Sequence, residues 1–278
     1  LDEAIGSVEE TPSRLALSAA NYYQKTGRTD TAINLIDKIK SKDFNLEILK
    51  GRRRTTKGSS LSEVTVRSPQ DGISEALFDI ASALRDEYDN NASLIFVRLA
   101  SYMRPEFHSA QILLGEILEE RRKYPEAIKE FEQIPEESIF FRMAQLRLSQ
   151  TLRQNDKPRA AIQVLERLKQ RQPKNAENFI RLGDIYRSQK DWDEAIFAYN
   201  KAINLTNRDS KTDWLLYYSR GVALEQSGRW DMAEADFIKA LELAPNQPFI
   251  MNYLGYAWTE QGINLKKAEQ LIRKAVSL

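Results

Sequence analysis

The sequence predicts an all-α protein, an α-solenoid of about seven stacked helix-turn-helix units. The main observation is a small residue that returns every 34 positions, with a four-residue insertion before the fifth member: Ala81, Gly115, Ser149, Gly183, Gly221 and Gly255. A second small residue follows, twelve positions after each of the first five and thirteen after the last: Ser93, Ala127, Ala161, Ala195, Ala233 and Ala268. A fixed period of this length is typical of a stacked array of identical supersecondary units. Such an array favours a binding surface over a reaction centre.

A third observation is the helical spacing of apolar residues, for which residues 176–209 serve as an example. In the first half of this unit, the residues at intervals of three and four are Phe179, Leu182 and Tyr186. In the second half they are Ala195, Tyr199 and Ala202. This spacing predicts two amphipathic helices of roughly 20 Å each. Because helices this short are marginal alone, their stability must come from packing. Gly183 lets the two backbones approach closely, with Tyr186 and Tyr199 beside it.

The same pattern places the other units in order along the chain. Six units start near residues 74, 108, 142, 176, 214 and 248, and a weaker unit at 13–46 follows the end of a preceding helix. Three glycines fall between paired helices, where a left-handed residue ends the first helix: Gly27, Gly228 and Gly262. Pro125 and Pro158 fall in the first turn of second helices, where a missing N–H costs little.

The unit resembles the tetratricopeptide repeat. Residues 214–247 carry the residues of that pattern at its fixed offsets: Tyr217, Gly221, Leu224, Ala233, Phe237, Ala240 and Pro245. The resemblance implies a right-handed superhelix. Two departures are Gln111, where an aromatic residue is expected, and Arg220, where leucine is usual. We expect local repacking at both positions, with the polar tips reaching solvent; the alternative is a softened joint in the array.

Residues 47–73 interrupt the period and divide the chain. They predict an irregular linker rich in Gly, Ser and Thr. Residues 1–46 then belong to an N-terminal array, and 74–278 form a second, continuous one. The linker contains a run of basic residues: Lys50, Arg52, Arg53, Arg54 and Lys57. One interpretation is a solvated loop, and the other is a docking patch for an acidic partner or a phosphate surface.

Composition excludes several classes of function. With 41 basic and 40 acidic residues the net charge is +1, which gives no global field to attract nucleic acid. Cysteine is absent and His108 is the one histidine, so disulfides, thiolate metal sites and His-rich metal sites are excluded. No apolar stretch is long enough for a membrane span. We therefore expect no metal, no cofactor and no nucleic-acid partner.

In tetratricopeptide arrays the first helix of each unit lines the concave face, so the resemblance implies which side chains contact a partner. The candidates are Arg85, Arg153, Arg187, Trp214, Tyr218, Phe249, Asn252 and Tyr256. The three arginines form a candidate ladder at whole-repeat spacing, and the aromatic residues are of types favoured at binding hot spots. One alternative is that the arginines pair with Glu116, Glu119 or Asp184. Another is that Trp214 and Phe249 belong to the core.

These observations predict a non-enzymatic scaffold that binds a peptide or protein partner in its concave groove. No phosphate loop, nucleophile elbow or unexplained pair of acids is found. The alternative is the regulatory or substrate-recruiting arm of an enzyme whose catalytic domain lies outside these residues. Residues 75–107 and 252–276 resemble long bacterial tetratricopeptide proteins associated with the cell envelope. A periplasmic location and a role in envelope maintenance are therefore the finer expectations.

Overall fold

The computed structural model describes residues 68–87, 90–206 and 211–278, together with positions 23, 26–28, 30, 31 and 34. The long described ranges contain α-helices joined by short turns, one short 3₁₀ helix at Lys211–Asp213 and no strand. The α-helices are α1 (Pro69–Glu87), α2 (Asn90–Met103), α3 (His108–Glu120), α4 (Tyr124–Glu132), α5 (Phe141–Gln154), α6 (Pro158–Arg171), α7 (Ala176–Ser188), α8 (Trp192–Leu205), α9 (Trp214–Gln226), α10 (Trp230–Leu243), α11 (Pro248–Glu260) and α12 (Leu265–Ser277). The predicted all-α class is confirmed.

The chain divides into two compact units, Leu1–Asn155 and Asp156–Leu278. Helices α1 to α5 belong to the first unit and α6 to α12 to the second. The division falls inside the repeat that the sequence places at residues 142–175. The predicted repeat at 13–46 and the linker at 47–73 lie almost entirely outside the described residues, so these boundaries stay predictions.

Consecutive helices pair as hairpins within each unit. In the first unit α1 packs on α2 and α3 on α4; in the second, α7 packs on α8, α9 on α10 and α11 on α12. Each hairpin then contacts the first helix of the next one, as α8 does with α9. The inner helices of each unit therefore pack against more than one neighbour, which is what helices this short require.

At glycines that recur with the 34-residue period, an aromatic ring from the second helix of a hairpin packs closely against the first helix. A methyl group added at Gly183 would lie 2.6 Å from the Tyr199 ring, and one at Gly221 would lie 2.7 Å from the Phe237 ring. Both distances are well inside van der Waals contact. The close approach predicted from the small residues is confirmed, and its partner is a ring that lies 16 positions further along the chain.

The same rings form the centre of each core. Tyr199 and Phe237 are fully buried in the core of the second unit, together with Leu224, Ile250 and Leu254. In the first unit the largest fully buried side chains are Phe107, Ile117, Leu118, Phe131 and Ile134. These residues recur at the spacing that the sequence predicted for the apolar stripes. The cores are therefore repeated local clusters rather than one central core, as expected for a solenoid.

The turn residues also lie where the sequence predicts them. Gly27, Gly228 and Gly262 adopt positive φ angles of 79°, 79° and 69°. Pro125 and Pro158 occupy the first turns of α4 and α6. In other hairpins the equivalent left-handed position is occupied by Arg122, Asp156 and Lys190, with φ angles of 57°, 55° and 64°. A side chain with a Cβ is strained in this conformation.

Candidate functional site

The first helices of the first unit are joined by an ionic network. Arg85 on α1 donates to Glu116 on α3 at 2.5 Å, and also to Glu120 at 2.5 Å. Arg147 on α5 donates to the second oxygen of Glu116, again at 2.5 Å. Glu116 is thus bound from both sides, and its carboxylate ties three successive first helices together. The charges on this face neutralise one another within the unit.

Glu119 lies in the same network and is the most desolvated of its acids. Burial raises the pKa of Glu119, although the hydrogen bond from the Thr151 hydroxyl and the charge of Arg147 oppose that rise. The Thr151 hydroxyl donates to Oε1 of Glu119 at 2.6 Å. Burial alone would lower the pKa of Arg85, but its bonds to Glu116 and Glu120 raise that pKa instead. The network therefore keeps its arginine charged and makes one of its acids easier to protonate.

The corresponding face of the second unit begins with a polar cluster on α7 and α8. The Tyr199 hydroxyl donates to Oδ1 of Asp184 at 2.8 Å, and Nε of Arg187 donates to the Tyr199 oxygen at 3.2 Å. Burial, followed by the charge of Asp184, raises the pKa of Tyr199 far above its ordinary value. The phenol therefore stays neutral and acts as a hydrogen-bond bridge between the two charged residues.

Next to it lies an aromatic cluster formed by α9, α10 and α11. The Tyr218 ring lies 6.5 Å from Trp214, 6.0 Å from Phe237 and 5.6 Å from Tyr253. The Tyr253 hydroxyl donates to Glu225 in a short hydrogen bond. Burial raises the pKa of Tyr218; the charge of Arg187 opposes that rise, and the charge of Glu225 adds to it. Tilted and edge-on ring contacts at these distances stabilise a cluster beyond the area that it buries.

Helix α11 presents an exposed apolar stripe beside this cluster. Phe249 is 73% exposed and Tyr256 is 56% exposed, and Asn252 between them is exposed as well. These residues are three and four positions apart, so they lie on one face of the helix. We call Phe249, Asn252 and Tyr256 the exposed stripe.

The structure divides the predicted site residues into three groups. Arg85 and Arg187 bind partners within the protein, whereas Arg153 at the end of α5 is exposed. Trp214 and Tyr218 are partly buried against each other and against the core. Phe249, Asn252 and Tyr256 are exposed on one helix face. The basic run Lys50, Arg52, Arg53, Arg54 and Lys57 lies outside the described residues.

Sequence reasoning missed an ion pair within the second unit. Arg220 donates to both oxygens of Asp236, at 2.7 and 2.6 Å, and to Oδ1 of Asn200 at 2.6 Å. The Asp236 side chain is only 7% exposed. The expectation that Arg220 reaches solvent is therefore wrong, because a buried carboxylate holds its guanidinium. The expectation is wrong for Gln111 too, which is buried at 7% exposure. A signal was available: an arginine at a leucine position with an acid 16 residues further on.

Two tetratricopeptide family patterns match the amino-acid sequence of this chain. The tetratricopeptide repeat matches residues 214–247, and the tetratricopeptide repeat-like domain matches residues 74–217, which is more than half of the chain. The chain belongs to the tetratricopeptide repeat family. The predicted resemblance is confirmed. The matched ranges include the ionic network, the polar cluster and most of the aromatic cluster.

Two curated proteins share part of this sequence, and one solved structure shares its fold. The chain is 33% identical over 98 residues to the uncharacterized protein ycf37 of Guillardia theta, which is 35% of this chain and 54% of that protein. It is 26% identical over 157 residues to human protein O-mannosyl-transferase TMTC1, which is 56% of this chain and 17% of that protein. A structure of MamA from Desulfovibrio magneticus RS-1 superimposes with a TM-score of 0.53 at 17% identity, covering 66% of this chain and 99% of that one. The chain thus spans about half of one curated relative and under a fifth of the other.

Among the described residues, no three acidic or histidine side chains come together in a way that could hold a metal ion. None of their helices is both long and apolar enough to cross a bilayer.

Proposed function

We propose that this tetratricopeptide chain is a scaffold that binds an extended peptide on the first-helix face of its second unit. Tetratricopeptide repeats are typically non-catalytic interaction modules, and the fold supports that general role. The proposal that a peptide binds at this face depends on the exposed stripe. Exposing large aromatic side chains to water is unfavourable in free energy. Aromatic residues of this kind are enriched among binding hot spots.

The surroundings of the stripe support the same assignment. Tyr253 is on the same helix and is held by the Tyr218 ring and by Glu225. A peptide that packs on Phe249 and Tyr256 would therefore contact a surface whose underlying side chains are already ordered. Pre-ordered contacts lower the entropy lost on binding. The exposed amide of Asn252 supplies a polar group that can bond a peptide backbone.

The first unit supports a different role for its own first-helix face. There Arg85 and Arg147 are neutralised by Glu116 and its neighbours. A ligand would have to break bonds of 2.5 Å to reach those charges. We therefore assign that face to holding helices together, and the candidate ladder of arginines does not carry the binding proposal.

The test is crosslinking and mass spectrometry in the native cell, comparing wild type with Phe249→Ala plus Tyr256→Ala. Both side chains are exposed, so we expect folding to be unchanged by circular dichroism and captured partners to fall about tenfold or more. The matched control is Phe197→Ala plus Met232→Ala, which removes side chains that are each 58% exposed on second helices. Equal capture by wild type and the α11 variant would refute the proposal.

Two finer proposals come from the sequence alone. A role in the bacterial cell envelope predicts that the full-length protein is found in periplasmic or membrane fractions; recovery from the cytosol alone would exclude it.

A docking role for the basic run predicts that deleting residues 50–57 weakens partner capture. Undiminished capture would leave that segment as a solvated connector.

A second candidate function is the recruiting arm of an enzyme. The observation in its favour is the similarity to a stretch making up 17% of a protein named as an O-mannosyl-transferase. If this chain serves such an enzyme, the Phe249→Ala plus Tyr256→Ala variant of the full-length protein should raise KM and leave kcat unchanged, because it removes substrate binding only. Sequencing a full-length protein without a catalytic domain would exclude this candidate.

A further inference from the structure

A cleft opens on the second unit between the second helices α10 and α12. Its volume is about 640 Å³, and Leu254 and Trp258 of α11 form its floor. Its walls include Ile238 and Leu241 of α10 and Leu271 of α12. A volume of this size is in the range of ordinary ligand pockets. Phe249 and Tyr256 are not among its lining residues, so the cleft is separate from the exposed stripe.

The preceding repeat shows what occupies the equivalent space. Ile238 and Leu254 lie 38 and 34 positions after Asn200 and Arg220, respectively, and so hold the same repeat positions. Leu271 corresponds to Asp236, because the last second helix is displaced by one residue. Between α8 and α10 the Arg220 side chain reaches across to Asp236 and Asn200. Three bonded polar residues at one junction between repeats are thus replaced by three apolar residues at the next junction, where the cleft is open.

The rim of the cleft is more acidic than basic. Glu234 and Glu242 line its α10 side, and Lys267 lines its α12 side. The Trp258 indole N–H donates to Oε1 of Glu234 at 2.5 Å, which fixes one carboxylate above the apolar floor. Glu242 is bridged by Lys239 at 3.2 Å, but its side chain is 60% exposed and accessible. An apolar floor below two carboxylates suits a long aliphatic side chain that ends in a cation.

We propose that this cleft binds an arginine side chain from a segment of a protein partner. The aliphatic part of that arginine packs on Ile238 and Leu271, and its guanidinium donates to the exposed Glu242. The partner then supplies from outside what Arg220 supplies from within the preceding repeat. This second site goes beyond the proposed function, because it lies on other helix faces and does not use the exposed stripe.

The probe is the peptide acetyl-Ala-Leu-Arg-Leu-Ala-amide, with a counterpart in which citrulline replaces arginine; citrulline keeps the length of the side chain but loses its charge and two of its N–H donors. Binding is followed by the nuclear magnetic resonance signal of the Trp258 indole N–H, one of four indoles in the chain and assigned with Trp258→Phe. We expect a saturable shift of this signal. We also expect citrulline to weaken binding about threefold or more, as loss of a partly exposed ion pair does.

Two variants and a control locate the site. Leu254→Arg plus Leu271→Asp copies the ion pair of the preceding repeat, so it should fill the cleft and abolish binding; because Leu254 is a core residue, circular dichroism must show that this variant is folded. Glu242→Gln, at an exposed rim position, should weaken binding about threefold without affecting folding. Asp231→Asn removes an exposed acid of the same helix away from the cleft and should change nothing.

Four results would overturn the proposal. The arginine and citrulline peptides could bind equally, or both cleft variants could bind the peptide as wild type does. The Trp258 signal could fail to shift at any peptide concentration. Lastly, wild type could self-associate in a way that the Leu254→Arg plus Leu271→Asp variant abolishes. The last result would assign the cleft to a second copy of the chain. The Phe249→Ala plus Tyr256→Ala variant should bind the peptide normally, so failure here is distinguishable from failure of the proposed function.

Discussion

Replacing Arg220 by leucine tests the ion pair that the sequence did not reveal. The substitution leaves Asp236 buried without its cation, and breaking a buried pair in this way costs about 3–5 kcal/mol. Protonation of the Asp236 carboxylate sets an upper limit on this loss of stability, because a neutral carboxyl is no longer a buried unpaired charge. A carboxyl with an ordinary pKa of about 3.9 can be made neutral at pH 7 for about 4 kcal/mol, at 1.36 kcal/mol per pH unit. We therefore expect Arg220→Leu to lower the free energy of unfolding by about 3 kcal/mol at pH 7.

The same reasoning fixes the pH dependence. Burial raises the pKa of Asp236 in the wild type, although the bonds and charge of Arg220 oppose that rise. Without Arg220 the folded pKa rises further. A raised folded pKa means that the folded state holds the proton more tightly, so stability is lost as pH increases towards neutrality. At pH 5 the ceiling is about 1.5 kcal/mol, so the cost of Arg220→Leu should shrink by about half or more.

Urea unfolding followed by circular dichroism at pH 7 and pH 5 measures both values. The double variant Arg220→Leu plus Asp236→Leu should be within about 1 kcal/mol of wild type, since an apolar replacement of a buried pair is often neutral. The matched control is Arg229→Leu, whose partner Asp193 is 78% exposed; its cost should stay below about 1 kcal/mol. A cost for Arg220→Leu under 1 kcal/mol at pH 7, or one that is equal at both pH values, would refute the argument.

Three further predictions concern the same units and use the same unfolding assay. Gly183→Ala gains about 1 kcal/mol of helix propensity but forces a methyl group into the Tyr199 ring, at a cost of about 1–3 kcal/mol, so we expect a net loss; a more stable variant would contradict this. Lys190→Gly relieves a left-handed residue and should raise the free energy of unfolding by about 1 kcal/mol, and no gain would argue against strain at that turn. Thr151→Val removes the donor that holds down the pKa of Glu119, so stability at pH 7 should fall by about 1 kcal/mol and the loss should shrink at acidic pH. A pH-independent loss would point to packing instead.

The fold was predictable because it depends on a short local pattern repeated many times. The positions of Gly183 and Gly221 imply close helix contact, and in both repeats the ring that makes this contact lies 16 residues further on. Gly228 and Gly262 marked turns that do adopt a left-handed conformation. Each of these features is decided by residues within one repeat, so no long-range information was needed.

The candidate site was less predictable, because exposure depends on which neighbour a side chain meets. Trp214 and Phe249 occupy nearby positions of successive repeats, yet one is partly buried and the other is 73% exposed. Arg85 and Arg153 share a repeat position, but Arg85 binds Glu116 whereas Arg153 is exposed. The repeat pattern gives a residue its place on a helix. It does not give the identity of the residue opposite.

The contact between a glycine and an aromatic ring has a consequence for how the chain folds. Gly115 meets Phe131, Gly183 meets Tyr199 and Gly221 meets Phe237, each across 16 positions of sequence. Contacts this local close small loops, so they form quickly and at little entropic cost. A ribosome-bound chain can therefore complete each hairpin as soon as it emerges, and synthesis can proceed without leaving long apolar segments waiting for distant partners.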